Sequence, residues 1–365
     1  MGLTVNHSTY TYSEIKRQFA AWKQLLYHLE KKGSKNLKIV EKFSEAVWIF
    51  TGCGTSYYLA QTASLLFENI TGIPTKAVPS SEMIIFPQHI FNSKSNYLVV
   101  PMSRSGTSTE VVMAARTVKK DLKLPTLAVS CTPDSPLVKE AVHTLEFPFE
   151  KEQSVIMTGS FTSMLMSVVH LAALYAEDRQ LITKMAKLAD TAEALVQSSE
   201  PQIKDIALVD DLKDFVFLGQ GPYFGIANEA ALKIQEMSIS HSQSFHALEY
   251  RHGPKSTATA NTLLTLLFSE AGLSLEADLL KDLKQLGAKT LALTSAHMVE
   301  ECHRADYIID VPPGYGDILT PFMYMPLLQL LGYYKAIAKH LNPDNPRNLT
   351  AVVEFNLSEN GKYGK

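Results

Sequence analysis

Two short loops in the first third of the chain have side chains and glycines suited to holding an anion. They are Gly52-Cys53-Gly54-Thr55-Ser56 and Ser103-Arg104-Ser105-Gly106-Thr107-Ser108. Each follows an apolar run typical of a β-strand and precedes a pattern typical of an amphipathic helix. The start of a helix presents unpaired backbone N–H groups and a partial positive charge, while glycines allow close approach and hydroxyls add donors. The loops therefore predict a site for a phosphorylated ligand such as a sugar phosphate.

A second group of candidates carries opposite charges along one predicted helix, residues 225–238. Glu229, Lys233 and Glu236 are spaced i, i+4 and i+7, which places all three on one face. A carboxylate beside a lysine can accept a proton, with a pKa that depends on its burial. The alternative interpretation is an ordinary solvated stripe of ion pairs. The spacing by itself does not distinguish between these two interpretations.

The segment Arg251-His252-Gly253-Pro254 adds a group that titrates near neutral pH. His252 in such a loop could relay a proton, and the alternative interpretation is a simple turn. Arg104 could likewise meet a phosphate or only solvent. Cys53 is interpreted as a packing residue rather than a nucleophile. Together these residues support the hypothesis of acid–base chemistry on a phosphorylated ligand.

The elements that would hold these residues occur twice in the chain. The strand before Gly52 recurs before Gly219, residues 97–106 recur at 263–272, and residues 126–130 recur at 290–294. The separation stays at roughly 165 positions, which indicates an internal duplication. Each copy alternates short Val-, Ile- and Leu-rich runs with helical patterns. This alternation predicts an α/β fold of two tandem, doubly wound parallel-sheet domains of flavodoxin-like type, with ligands beyond the C-terminal strand ends.

We expect three parts along the chain. They are a helical arm over residues 1–40, a first, phosphate-binding domain over 41–199 and a second, catalytic domain over 200–365. The helix of the arm is predicted to run from Ser13, as its N-cap, to Lys32. A single long helical segment is predicted from Thr158 to Ser199.

The two copies differ at the second anion-binding loop. The second copy has Ser269-Glu270-Ala271-Gly272 where the first has Ser103-Arg104-Ser105-Gly106. A carboxylate at that point would repel phosphate, and alanine lacks the hydroxyl. The phosphate site is therefore expected in the first copy only.

Composition argues against several classes of partner. The 365 residues are 46% hydrophobic and 19% charged, with a formal net charge of −3, so there is no electrostatic case for nucleic acid or an anionic membrane. Three cysteines, no secretory leader and no apolar run long enough to span a bilayer predict a cytoplasmic protein. The chain has no nucleotide-binding glycine motif and no histidine pair at metal-ligand spacing. We therefore expect neither a metal nor an organic cofactor.

With these motifs in view, the chain resembles the tandem sugar-isomerase-domain (SIS) family over nearly all of its length after about residue 40. Within that family it looks most like the tagatose/galactosamine-6-phosphate ketose-aldose isomerases (deaminases) and related aminosugar-6-phosphate deaminases. The motifs that carry the resemblance are the two anion-binding loops, Glu152-Gln153-Ser154-Val155-Ile156-Met157-Thr158, the helix with Glu229 and Glu236, Arg251-His252-Gly253-Pro254 and Asp344-Asn345-Pro346-Arg347-Asn348-Leu349.

The resemblance implies a role for each candidate. The substrate- and phosphate-binding positions correspond to Cys53, Gly54, Thr55, Ser56, Ser103, Arg104, Ser105 and Ser108, and Val155 to a backbone contact with the sugar. Glu236 corresponds to the base that moves a proton between C1 and C2, Lys233 to a lysine of the same pocket, and Glu229 supports them. His252 corresponds to a ring-opening histidine that the neighbouring subunit supplies. A homodimer or higher homo-oligomer with a shared active site is therefore implied.

The family resemblance implies isomerisation of a small-molecule 6-phosphosugar, in particular of a 2-amino-2-deoxyhexose 6-phosphate with release of ammonia. One alternative is a fructosamine-6-phosphate deglycase. A second is a glutamine-dependent synthase, disfavoured because Ala351 stands where the synthase has a lysine and because no glutaminase domain is expected. The third, a phosphosugar-binding regulator without activity, would carry a helix-turn-helix domain. The roughly 40 residues before the first strand hold no basic recognition helix.

Overall fold

The structure, a computed structural model, describes residues 9–295 and 302–353. The C-terminal tail from Leu357 to Lys365, which the sequence leaves unassigned, lies outside these residues. Two five-stranded parallel sheets form the framework. The first contains β1 (Val47–Gly52), β2 (Thr75–Pro79), β3 (Tyr97–Ser103), β4 (Leu127–Ser130) and β5 (His143–Glu146), in the order β2-β1-β3-β4-β5. The second contains β6 (Asp214–Gly219), β7 (His241–His246), β8 (Thr262–Leu267), β9 (Lys289–Ser295) and β10 (Tyr307–Val311), in the order β7-β6-β8-β9-β10.

The two sheets repeat one topology strand for strand. The central strands β3 and β8 are buried along their whole length, as expected when helices cover both faces of a parallel sheet. The turn after the first strand of each copy even repeats its backbone angles, with φ 53° and ψ −126° at Gly54 and φ 53° and ψ −128° at Gly221. The α/β class, the tandem doubly wound arrangement and the duplication are therefore confirmed.

Eleven helices are described. The first half has α1 (Tyr10–Lys42), α2 (Thr55–Thr71), α3 (Ser80–Ile85), α4 (Pro87–Ile90), α5 (Thr109–Lys120), α6 (Pro136–Glu140), α7 (Gly159–Tyr175) and α8 (Arg179–Ala207). The second half has α9 (Pro222–Ser238), α10 (Leu273–Lys284) and α11 (Gly316–Ala338), with 3₁₀ turns at Leu248–Arg251 and Pro254–Thr257. No helix in the described ranges is long and apolar enough to cross a membrane.

The largest apolar core joins the two halves. It draws on both sheets and on α1, α2, α7, α8, α9 and α11, and smaller clusters lie on the sheet faces away from it. Helices α2 and α9, which follow equivalent strands, pack directly against each other. Helix α1 packs on α7, α8 and α11. The N-terminal arm is thus part of the same core.

Two predicted helices have different bounds in the structure. Helix α1 begins three residues earlier than expected because Thr9, not Ser13, is its N-cap and accepts a hydrogen bond from the Tyr12 N–H. It also continues through Gly33 to Lys42. The segment predicted as one helix is divided into α7 and α8 at Glu177, which has φ 53°, and Asp178 caps the second helix.

Candidate functional site

The loop between β1 and α2 brings the first turn of a helix close to the sheet edge. A Cβ at Gly52 would lie 2.5 Å from the carbonyl carbon of Ser56, so only glycine fits there. Gly54 has a positive φ of 53°, which glycine adopts without strain. These two glycines let the chain turn sharply into α2. Thr55 and Ser56 are thereby placed at the start of the helix, where backbone N–H groups favour an anion.

The loop between β3 and α5 is folded by its own serines. The Ser103 hydroxyl accepts a hydrogen bond from the Gly106 N–H at 3.0 Å, and the Ser105 hydroxyl accepts one from the Thr107 N–H at 3.2 Å. Ser108 precedes α5 and makes no side-chain cap with it. Its hydroxyl is therefore available at the start of a second helix.

Both loops line one cavity of about 210 Å³. The predicted site residues on its wall are Cys53, Gly54, Thr55, Ser56, Ser103, Arg104, Ser105, Ser108, Val155 and Glu236. The rest of the wall is formed by Glu110, Met157, Leu349, Thr350, Ala351 and Val353. The cavity thus joins the anion-binding loops of the first half to a carboxylate of the second half. Glu110, in the first turn of α5, and Thr350 and Val353, beyond the last motif, were not identified from the sequence.

The charged face of α9 is buried rather than solvated. The side chains of Glu229 and Lys233 have no exposed surface, and that of Glu236 is 19% exposed. The Lys233 ammonium lies 3.2 Å from Glu229 Oε1 and also donates to Glu236 Oε2 and to the Thr55 hydroxyl. Only Glu236 of the three reaches the cavity wall. Glu229 and Lys233 lie behind it and connect it to the first half through Thr55.

Burial governs the charges of this group. It raises the pKa of Glu229 to about 7, against the opposing attraction of Lys233. Burial alone would lower the pKa of Lys233, but the carboxylates of Glu229 and Glu236 outweigh it and raise that pKa. Lys233 therefore stays charged at neutral pH. Its ammonium holds Glu236 in place and compensates its negative charge.

The equivalent position in the second copy is already occupied by the protein's own side chains. The Asp317 carboxylate accepts hydrogen bonds from the N–H groups of Glu270 (2.7 Å) and Ala271 (3.0 Å). Tyr223, at the position equivalent to Ser56, donates its hydroxyl to Asp317 at 2.9 Å. A carboxylate thus binds the loop amides that a phosphate would bind in the first copy. Among residues 9–295 and 302–353, no carboxylate accepts a hydrogen bond from the corresponding amides of Arg104 and Ser105.

Arg104 makes contacts that its position in the loop did not predict. Its guanidinium binds Glu152 at 3.0 Å and the Val155 carbonyl at 3.0 Å, with longer bonds to the carbonyls of Ser154, Ile156 and Ala351. The Val155 N–H in turn donates to the Asp344 carbonyl at 3.0 Å. The arginine therefore connects the anion-binding loop to two other segments of the cavity wall.

The two remaining candidates differ in their surroundings. Burial, with the nearby charge of Glu110, raises the pKa of Cys53 to about 11, so its thiol stays protonated at neutral pH. His252 follows the 3₁₀ turn at Leu248–Arg251, is exposed and does not line the cavity of its own chain. Across the described ranges, no cluster of three or more His, Cys, Asp or Glu side chains could hold a metal ion.

Comparisons with known proteins agree with this geometry. The model of the SIS domain matches residues 46–174 and 211–338. A solved structure of glucosamine-6-phosphate deaminase from Thermotoga maritima is 32% identical, covers 94% of this chain and 99% of its own, and superposes with a TM-score of 0.79. Tagatose-6-phosphate ketose/aldose isomerase from Escherichia coli superposes with a TM-score of 0.85 over 98% of this chain and 99% of its own, at 23% identity, which indicates the shared fold.

The chain also matches curated proteins that are longer than it is. The glutamine–fructose-6-phosphate aminotransferase (isomerizing) of Methanothermobacter thermautotrophicus is 29% identical over 321 residues. The match covers 87% of this chain and 53% of that protein. The chain therefore spans about half the length of the curated relatives it matches.

Proposed function

Because this chain belongs to the SIS domain family, we propose that it is a phosphosugar isomerase, and in particular an isomerising aminosugar-6-phosphate deaminase. The observation that carries the proposal is the single cavity shared by the anion-binding loops and Glu236. The name of the Thermotoga maritima relative supports the choice of an aminosugar.

The phosphate binds the loop of residues 103–108 and the start of α2, through backbone N–H groups and the hydroxyls of Ser56, Ser105 and Ser108. This binding fixes the far end of the sugar, so the C1–C2 bond is oriented toward Glu236. His252 of a neighbouring subunit opens the ring by relaying a proton between the ring oxygen and the C1 hydroxyl. The open-chain aldose is then the species on which Glu236 acts.

The chemical step is a proton transfer followed by hydrolysis. Glu236 takes the proton from C2 of the open-chain 2-amino aldose, and the electrons of that bond form the C1–C2 double bond. The electrons of the C1 carbonyl move onto its oxygen, which takes a proton from the substrate's ammonium group, and the product is an enolamine. Glu236 then returns a proton to C1, after partial exchange of that proton with solvent, and this leaves a protonated ketimine at C2. Water adds to C2, and ammonia leaves from the resulting carbinolamine to give the ketose 6-phosphate. Lys233, through its bond to Glu236, holds the carboxyl group at the cavity wall.

The charges on the cavity wall favour an amino sugar over a plain one. Glu110 and Glu236 contribute two carboxylates, while the charge of Arg104 is paired with Glu152. A zwitterion with a phosphate at one end and an ammonium group at the other suits such a wall. A neutral hydroxyl at C2 would offer Glu110 no positive charge and Glu236 none beyond that of Lys233.

Ala351 favours deamination over the aminotransferase activity named for the curated relatives. It lines the cavity at the position where the resemblance places the lysine that holds an open-chain ketose as a Schiff base. A methyl side chain cannot form that bond. The proposed reaction proceeds without it because the amine is already part of the substrate.

The test is Glu236→Gln, which keeps the size of the side chain and removes the base. We expect ammonia release from glucosamine or galactosamine 6-phosphate to fall by about a factor of 100 or more, with inorganic phosphate still bound. Incorporation of solvent deuterium at C1 should fall in parallel. Glu30→Gln, an exposed residue of α1, is the matched control. Wild-type turnover by Glu236→Gln would rule out the proposed base.

A further inference from the structure

Arg104 stands in the anion-binding loop, yet its charge is directed away from a ligand. Its side chain is 13% exposed, and Glu152, its partner at 3.0 Å, is fully buried. Burial favours the neutral acid, but Arg104 and hydrogen bonds from Thr158 and Ser160 hold the pKa of Glu152 below its usual value. Both partners of the ion pair are therefore charged, and each compensates the charge of the other.

Glu152 is itself fixed to the start of α7. Its carboxylate accepts from the N–H and hydroxyl of Thr158 at 2.8 and 3.1 Å and from the N–H and hydroxyl of Ser160 at 3.0 and 2.6 Å. A carboxylate bound at five points cannot follow an arginine that turns toward a phosphate. Movement of Arg104 would leave a buried charge without its cation, which is costly.

The other donors of Arg104 hold the cavity wall. They bond to the carbonyls of Ser154, Val155 and Ile156 and to that of Ala351 in the C-terminal segment of residues 344–353. That segment is also held by backbone hydrogen bonds from the Val155 N–H to the Asp344 carbonyl and from the Thr109 N–H to the Val353 carbonyl. At its start, the Asp344 carboxylate accepts from the N–H groups of Tyr10 and Thr11 and from the Thr11 hydroxyl. Arg104 and Ala351 also separate the 210 Å³ cavity from a neighbouring one of about 680 Å³.

We propose that Arg104 is a positioning residue rather than a phosphate ligand: its guanidinium fixes residues 154–156 and the C-terminal segment as the wall around the phosphate end of the cavity. Phosphate is then bound by the amides, the hydroxyls and the helix starts. The proposal rests on the proposed function for the identity of the ligand, whereas the contacts that carry it exist without a ligand.

The direction in which one substitution changes phosphate affinity distinguishes a phosphate-binding Arg104 from a positioning Arg104. In Glu152→Gln, a phosphate-binding Arg104 would be released from its carboxylate and would bind inorganic phosphate more tightly than in the wild type. A positioning Arg104 would lose its anchor, so phosphate binding would weaken by about three- to tenfold, the equivalent of one or two hydrogen bonds. Arg104→Lys and Arg104→Gln should weaken it equally, because a lysine keeps the charge but not the planar array of donors. Arg116→Gln, which breaks an exposed pair with Glu140, is the control.

Hydrogen–deuterium exchange of the ligand-free variants supplies the second measurement. We expect faster exchange at the amides of Val155 and Thr109 in all three site variants and not in Arg116→Gln. Tighter phosphate binding by Glu152→Gln, full rescue by Arg104→Lys or phosphate affinity unchanged in all three would overturn the proposal. If the wild type binds no phosphate, the proposed function fails instead, and unchanged exchange at these amides is then the result that overturns the role of Arg104.

Discussion

At the scale of single residues, the buried ammonium of Lys233 determines the electrostatics around the proposed base. It lies between Glu229 and Glu236, and one oxygen of Glu229, Oε2, has no hydrogen-bond partner within the described residues. Two adjacent carboxylates of one helix would repel each other without it. The lysine therefore separates the two carboxyl groups and holds Glu236 at the cavity wall.

Substitution of the lysine and of its inner partner should have opposite effects on stability. Lys233→Met leaves two facing carboxylates without a cation, and we expect a loss of about 3–5 kcal/mol in the free energy of unfolding at pH 7.5. Glu229→Gln removes a carboxyl that is hard to ionise and keeps its shape, so it should be neutral or stabilising. Urea unfolding of both variants measures the difference. Equal stability of Lys233→Met and wild type would contradict this account of the three charges.

The spacing of these residues could be predicted from the sequence, but their burial could not. The i, i+4, i+7 spacing on α9 places the three side chains on one face, but it is the same whether that face is exposed to solvent or packed against α2. Burial depends on Thr55 and the first half of the chain, about 180 positions away. The same limit applies to Arg104, whose partner Glu152 comes from a separate segment. Residue types indicated the candidate site, while the long-range contacts support the roles that we propose.

At the scale of elements, the two copies explain why we propose an anion site in one loop and not in its duplicate. In the second copy Glu276 of α10 accepts from the N–H and hydroxyl of Ser269, and Asp317 accepts from the next two amides. Carboxyl groups from the starts of two helices, α10 and α11, therefore occupy the place of an external ligand. The sequence predicted the loss of the site from Glu270, but the replacing groups are Glu276 and Asp317.

The buried Glu276 carboxyl should make stability depend on pH. Burial raises its pKa to about 7, above the value of about 4.3 in an unfolded chain. The folded state then holds the proton more tightly, so stability is greatest at low pH and is lost as pH rises toward 7. The free energy of unfolding of wild type minus that of Glu276→Gln should therefore become smaller by about 2 kcal/mol between pH 5 and pH 8.

Urea unfolding at several pH values between 5 and 8 measures how steeply the free energy of unfolding of each protein depends on pH. Glu82→Gln, at an exposed position of α3, is the matched control and should follow the wild-type slope. Parallel curves for Glu276→Gln and wild type would mean that this carboxyl ionises freely in the folded protein. Glu14, Glu150 and Glu229 have pKa values raised to about 7 by burial as well, so the wild-type curve should fall over the same range.

Helix bounds were predicted less well than helix identity. Pattern alone favoured ending α1 near Gly33, but its apolar face continues to Ile39 and Val40, which are buried against the rest of the core. The break between α7 and α8 at Glu177 carries no glycine or proline. Packing overrides local preference at both points. The predicted strands, before Gly52 and Gly219 and within residues 97–106, 126–130, 263–272 and 290–294, are present in the structure as β1, β6, β3, β4, β8 and β9. Strands β2, β5, β7 and β10 were not identified from the sequence.

At the scale of the whole molecule, the exposed position of His252 leaves one proposed group to another subunit. Mixing Glu236→Gln with His252→Ala should therefore restore activity that neither variant has alone. In a twofold dimer each mixed pair contains one intact site, so random mixing should give about a quarter of wild-type turnover. Ammonia release after co-refolding or co-expression measures it. Activity that stays at the level of the separate variants would place both groups in one chain or remove His252 from the reaction.

The packing of α2 on α9 decides whether the two halves form one site. A Cβ at Gly225 would lie 2.3 Å from the Thr62 hydroxyl and 2.7 Å from the Tyr58 carbonyl, and backbone cannot yield as a flexible side chain can. Gly225→Ala should cost about 1–3 kcal/mol of stability through overpacking and should lower kcat/KM, because it separates Thr55 from Lys233. Gly33→Ala in α1, whose added Cβ would be 3.8 Å from Leu174, is the matched control and should stabilise the helix by up to about 1 kcal/mol. Unfolding and turnover measured on both variants separate the general effect of a methyl group from its effect at this contact. If Gly225→Ala had the stability and kcat/KM of the wild type, close contact between α2 and α9 would not be required. Glu236 could then act on a ligand bound by the first half without that contact.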